Sequence, residues 1–167
     1  MGEQLSLEGI DGSPQPTNGL YFAIFPAEDT ATRTEAFARR LRTETGLKGR
    51  PIAPERLHVS LHHLGDYADP PPGIVAAACE AAAAVVMPPF ELAFDRVVSF
   101  ENKSGYRPLV LQGSDGVAGL MVFRRELGTA MQKVGLWRCV KPHYLPHVTL
   151  FARAGGNRHS KPIESAT

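Results

Sequence analysis

The chain has 167 residues, a formal net charge of +1 and 43% apolar side chains. Its length suits one compact domain or two small lobes sharing a core, and its apolar share excludes wholesale disorder. The near-neutral charge excludes a duplex-wrapping protein, so any contact with nucleic acid has to be local. Cys79 and Cys139 are the only cysteines and show no paired spacing, which fits a reduced, cytoplasmic setting. The N-terminus lacks the basic-then-apolar layout of a secretory signal. The longest apolar run, Ile74 to Val86, falls short of the roughly 20 residues that cross a bilayer, so no membrane partner is expected.

Residues 1–18 are polar and rich in Gly and Pro, and read as a flexible lead-in. Tyr21 to Phe25 is a short aromatic and apolar run closed by Pro26, which predicts a buried strand. A helix follows from about Asp29 to Thr45, with Thr32 and Glu35 as a capping box and Gly46 at its end. Leu57 to Leu64 predicts a strand ended by Gly65. The prolines at 70–72 lead to an alanine-rich helix from about Gly73 to Val86, stopped by Pro88 and Pro89. Phe90 to Phe100 alternates in part and predicts a strand, as does Leu109 to Leu111. Val117 to Val134 predicts a helix with Leu120, Phe123, Leu127 and Met131 on one stripe. A second histidine strand follows at Pro146 to Leu150.

Two of these segments match. Leu57-His58-Val59-Ser60-Leu61 and Pro146-His147-Val148-Thr149-Leu150 share a histidine, a valine, a hydroxyl residue and a leucine, with the histidines 89 positions apart. Ala23, inside the preceding strand, lies 35 residues before His58, and Val110 lies 37 before His147. The chain thus holds two strand–helix–histidine-strand units of nearly equal length, an internal duplication with a pseudo-twofold axis. Side chains alternate along a strand, so each segment presents an imidazole and a hydroxyl on one face and apolar anchors on the other.

An unperturbed imidazole has a pKa near 6.5, so one histidine can be neutral and another protonated near neutral pH. In-line displacement at phosphorus needs a base and an acid on opposite sides of the phosphorus, which a pseudo-twofold pair supplies. The hydroxyls of Ser60 and Thr149 can donate to the non-bridging oxygens as charge builds. No metal is required. The spacings His58/His62 and His143/His147 would serve a metal on a helix, but alternation at the first and Pro142 and Pro146 at the second argue against helix. A serine nucleophile lacks its Gly-x-Ser-x-Gly elbow. Arg39, Arg40, Arg42, Lys48, Arg50 and Arg56 cluster before the first motif and read mainly as solvated charge, with a hint of a backbone contact.

The paired His-Val-Ser-Leu and His-Val-Thr-Leu segments resemble the two signature motifs of the 2H phosphoesterase superfamily. More narrowly, the chain is similar to the RNA 2′,3′-cyclic phosphodiesterases, also called bacterial 2′-5′ RNA ligases. Leu20 to Ile24, Pro54 to His58 and Arg107 to Leu111 add to the likeness, which covers about residues 19–152. The resemblance implies an α+β fold of two duplicated lobes, small antiparallel sheets backed by helices, with the site in the cleft between them. It implies hydrolysis of an RNA-terminal 2′,3′-cyclic phosphate to a 2′-phosphate, with reversible 2′-5′ ligation as related chemistry and no cofactor. By carry-over His58 is the proton donor, His147 the proton acceptor, and Ser60 and Thr149 bind phosphate. His62, His63 and His143 match no family role and read as structural. Two other readings stay open: a relative acting on a small cyclic nucleotide, and a non-catalytic module that binds RNA ends. Residues 153–167 form a polar tail where relatives continue into a further strand. The expectation is a monomer, less stable or prone to associate if that strand is truly absent.

Overall fold

The computed structural model describes residues 18–100 and 108–152, with the polar lead-in, the tail from 153 and the segment 101–107 lying outside. Strand β1 (Asn18–Ile24) leads into helix α1 (Glu28–Thr45) and the short strand β2 (Arg50–Pro51). A 3-10 turn at Pro54–Arg56 precedes the long strand β3 (Val59–Tyr67), which is followed by helix α2 (Pro72–Ala83) and strand β4 (Arg96–Ser99). Strand β5 (Leu109–Gln112), helix α3 (Ala118–Lys133) and strands β6 (His147–Thr149) and β7 (Phe151–Ala152) complete the order. Among the described residues no helix is long and apolar enough to cross a membrane.

Local chemistry explains the helix limits. Glu28 and Asp29 in the first turn of α1 and Arg42 in its last complement the helix dipole. Gly46 closes it at φ 71°, its N–H donating to the Arg42 carbonyl, as the left-handed C-terminal cap requires. Thr32 is no cap: it lies a turn inside α1, and its hydroxyl donates back to the Glu28 carbonyl at 2.9 Å. The chain enters α1 directly from Pro26-Ala27, whose extended backbone already ends the strand. Helix α2 begins on Pro72, where a missing N–H costs nothing.

Five strands form one antiparallel sheet in the order β1-β3-β6-β5-β4, and β2 pairs with β7 beside it. The histidine strands β3 and β6 are thus neighbours at the centre. Each carries on its outer side the first strand of its own unit, β1 on β3 and β5 on β6, which is the pseudo-twofold arrangement of an α+β fold. The two lobes meet through one ladder pair, Val59 with Val148. Both valines are buried, against Leu57, Leu61, Leu120, Leu127 and Met131 among others. A smaller cluster packs Ala38 of α1 against Leu150 and Phe151.

The predicted strand from Phe90 to Phe100 is a ladder only over Arg96–Ser99. Phe90, Leu92 and Phe94 do alternate toward the core, but this stretch crosses over the β5–α3 turn. Its backbone is held by isolated bonds, Ala93 N to Gly116 O and Asp95 N to Gln112 O, both 3.0 Å. A side chain at Gly113 would sit 2.5 Å from the Ala93 carbonyl oxygen, so that crossing requires glycine.

Candidate active site

Antiparallel register places the four motif residues together. With Val59 opposite Val148, one step either way sets His58 across from Thr149 and Ser60 across from His147. Residues directly opposite in an antiparallel pair point to the same face. The two valines point into the core, so the histidines and hydroxyls stand on the open face as a two-by-two block. His58, His147 and Thr149 are half-buried and Ser60 is exposed. Each imidazole faces the other strand's hydroxyl, and the histidines are diagonal, a relation that separates side chains by about 7–8 Å.

Both rings are set the same way. His58 Nδ1 lies 2.8 Å from the Arg56 carbonyl, and His147 Nδ1 lies 2.8 Å from the Leu145 carbonyl. A carbonyl only accepts, so each Nδ1 carries its proton and each Nε2 is left for chemistry. Aromatic rings steady them: Tyr21 and Phe25 lie 5.2 and 5.9 Å from His58 between ring centroids, and Phe100 meets His147 edge-on at 4.9 Å. Gln112 of β5 pairs with His147 in register. Sequence reasoning missed these four neighbours. Tyr21, Ala23 and Phe25 alternate with Phe22 and Ile24, but an unbroken apolar run hides that period. Gln112 stands one residue past the apolar triplet read as the strand.

His62 departs from strict alternation, which would set it beside Ser60 and His58. The β1–β3 pairing runs Ala23 with Ser60 and then Phe22 with His62, so Leu61 is an extra, bulged residue. The bulge turns His62 to the core face, at 3% exposure, and separates it from His58. Its Nε2–H donates to the Arg124 carbonyl of α3 at 3.1 Å, while Nδ1 is buried without a hydrogen-bond partner. Desolvation holds its pKa below the ordinary value; the nearby Arg124 charge adds to this, against the carbonyls of Arg124 and Cys139. His63 is exposed, 3.3 Å from Asp66 Oδ1, and His143 lies exposed in the loop before β6. Of the basic cluster, Arg39 pairs with Glu35 and Arg40 with Glu44 along α1.

A family model described as LigT like phosphoesterase matches residues 24–110, a little over half of the chain, including the first histidine motif. Among solved structures, E. coli LigT complexed with NADP+ superposes with a TM-score of 0.58 at 24% identity, over 81% of this chain and 72% of that one. E. coli LigT complexed with phosphate gives a TM-score of 0.57 at 22% identity, over 88% and 77%. TT0787 of Thermus thermophilus gives 0.52 at 19% identity, over 87% and 79%. None of the curated proteins matches the chain in sequence. The structural likeness establishes the fold, and the family model, spanning more than half the length, shows that the chain belongs to the LigT-like phosphoesterases of the 2H phosphoesterase superfamily.

Proposed function

We propose that this phosphoesterase opens the 2′,3′-cyclic phosphate at an RNA terminus, giving a 2′-phosphate and a free 3′-hydroxyl. The supporting observation is the two-by-two block in which both imidazoles are pinned through Nδ1 and offer Nε2 from diagonal corners. With phosphate between them, neutral His147 takes a proton from water as its oxygen attacks phosphorus. Protonated His58 gives its proton to the 3′ oxygen as the P–O3′ bond breaks. Ser60 and Thr149 donate to the non-bridging oxygens, bonds that strengthen as negative charge builds. This acid–base chemistry uses no metal and no cofactor. The same step with an RNA 5′-hydroxyl attacking in place of water would make a 2′-5′ link as the P–O3′ bond breaks, and its reverse would cleave that link back to the cyclic phosphate.

The test is hydrolysis of a short oligoribonucleotide ending in a 2′,3′-cyclic phosphate, in EDTA, with a cyclic mononucleotide beside it. His58→Ala and His147→Ala should each lower kcat by about 10²–10⁴-fold, the usual contribution of a positioned acid or base. A 2′-phosphate product, lost in both variants, would establish the mechanism. Faster turnover of the mononucleotide would move the assignment to small cyclic nucleotides. Retained binding of RNA ends without any turnover would make the chain a binding module and sink the enzymatic assignment.

A further inference from the structure

Ladder bonding holds the two catalytic strands together at one residue pair, Val59 with Val148, which is little to fix a site whose groups lie on both strands. A side-chain network spans the same seam. From α3, Arg124 Nε donates to the Leu61 carbonyl at the β3 bulge (3.0 Å) and Nη2 donates to the Lys141 carbonyl (2.8 Å), in the loop before β6. The guanidinium lies over the Tyr144 ring, 4.1 Å from its centroid, and the Tyr144 hydroxyl donates to the Ser60 carbonyl at 2.9 Å. The next residue, Leu145, supplies the carbonyl that holds His147 Nδ1.

One cation therefore grips both strands. It touches Leu61 directly and Ser60 through Tyr144 on one side, and the loop that sets His147 on the other. Among the described residues no carboxylate pairs with Arg124, although it is half-buried. Burial lowers the Arg124 pKa, yet a guanidinium keeps its proton near neutral pH, and burial raises that of Tyr144 to about 12, so the phenol stays a donor. A lone half-buried arginine is a costly choice for fastening two elements, since apolar packing would serve stability as well. A planar cation with forked donors is better at fixing distance and angle.

We propose that Arg124 and Tyr144 are positioning residues that set the separation of His58 and Ser60 on β3 from His147 and Thr149 on β6 across the weakly laddered seam, a role that rests on the cyclic-phosphate assignment above. Arg124→Lys keeps the charge but loses the fork and the stacking, and Tyr144→Phe keeps the ring but frees the Ser60 carbonyl. Each should lower kcat by about 10–100-fold, the scale expected of an ångström-sized misplacement, with KM changed less than about twofold. The double variant should be little worse than the poorer single one, because both act on one contact chain.

Unchanged kcat in both single variants would overturn the proposal. So would a kcat loss that is recovered on cooling and tracks a lowered Tm, which is what a merely structural role would give. If the parent itself fails to turn over the RNA substrate, the substrate assignment fails separately. The positioning role is then read from histidine-selective NMR: both variants must shift the ring signals of His147 and leave those of exposed His63 in place. Unmoved His147 signals would overturn it there too.

Discussion

The carbonyls of Arg56 and Leu145 decide which nitrogen His58 and His147 leave free, and both leave Nε2. On the proposed function the hydroxyls bind phosphate, so Thr149→Val, which keeps shape and removes the donor, should lower kcat by about 10²-fold. Ser60→Ala should act similarly; steady-state kinetics on the cyclic-phosphate oligonucleotide checks both, and wild-type rates would exclude the hydroxyls from the reaction. His62 is the contrasting case. Its folded pKa lies below the unfolded 6.5, mainly through burial, so the unfolded chain binds the proton first as pH falls. Stability from this residue is whole above pH 6.5 and declines as pH drops through 6.5 toward the folded value. His62→Gln keeps a donor toward the Arg124 carbonyl without a titrating ring, and should flatten the fall of Tm between about pH 6.5 and 5. An equal fall in both proteins would mean His62 does not set the acid limit. The four motif residues were legible because a repeated triplet on an alternating strand fixes their face. His62 was not, because a bulge at Leu61 depends on pairing with β1, which no local pattern records.

Helix starts match the sequence to within a residue, although α2 ends at Ala83 and not at the expected Val86; strands match less well, for a physical reason. A helix end is written in its own residues: Pro72 opens α2, and Gly46 closes α1 in the left-handed region at φ 71°. Gly46→Ala puts a Cβ into that conformation, which costs about 1 kcal/mol. Nothing else lies within 4 Å of the added carbon, so the loss should appear whole in urea unfolding, with the m-value unchanged. A loss near zero would mean that the cap is not held in αL in solution. Strand extent depends instead on partners. Phe90, Leu92 and Phe94 have the alternation of a strand, yet the chain there finds a turn and not a neighbouring strand, and the ladder waits until Arg96 meets Gln112. Likewise Leu57 and His58 were read into the strand, but β3 begins at Val59. The offset has a local cause: the 3-10 turn at Pro54–Arg56 sets the Arg56 carbonyl within hydrogen-bond reach of His58 Nδ1.

Across the whole molecule the two units share their cores. Helix α3 of the second unit buries Leu120, Leu127 and Met131 against β3 of the first, and α1 of the first packs Ala38 against Leu150 and Phe151 of the second. Leu150 is fully buried at that exchange: its N–H donates to Leu109, its carbonyl accepts from Ile52, and it follows Thr149 directly. Leu150→Ala removes the largest part of this anchor and should destabilise the fold by about 2–5 kcal/mol, the range for a buried leucine. Because each unit's helix completes the other's core, the loss should not stay in the second unit. Native-state hydrogen exchange should quicken together in β1, β3, β5 and β6, while thermal unfolding remains a single transition. Protection retained in β1 and β3 while β5 and β6 open would mean that the lobes fold independently. In that case the seam at Val59 and Val148, with the Arg124 contacts across it, would be a hinge between two stable bodies and not the centre of one.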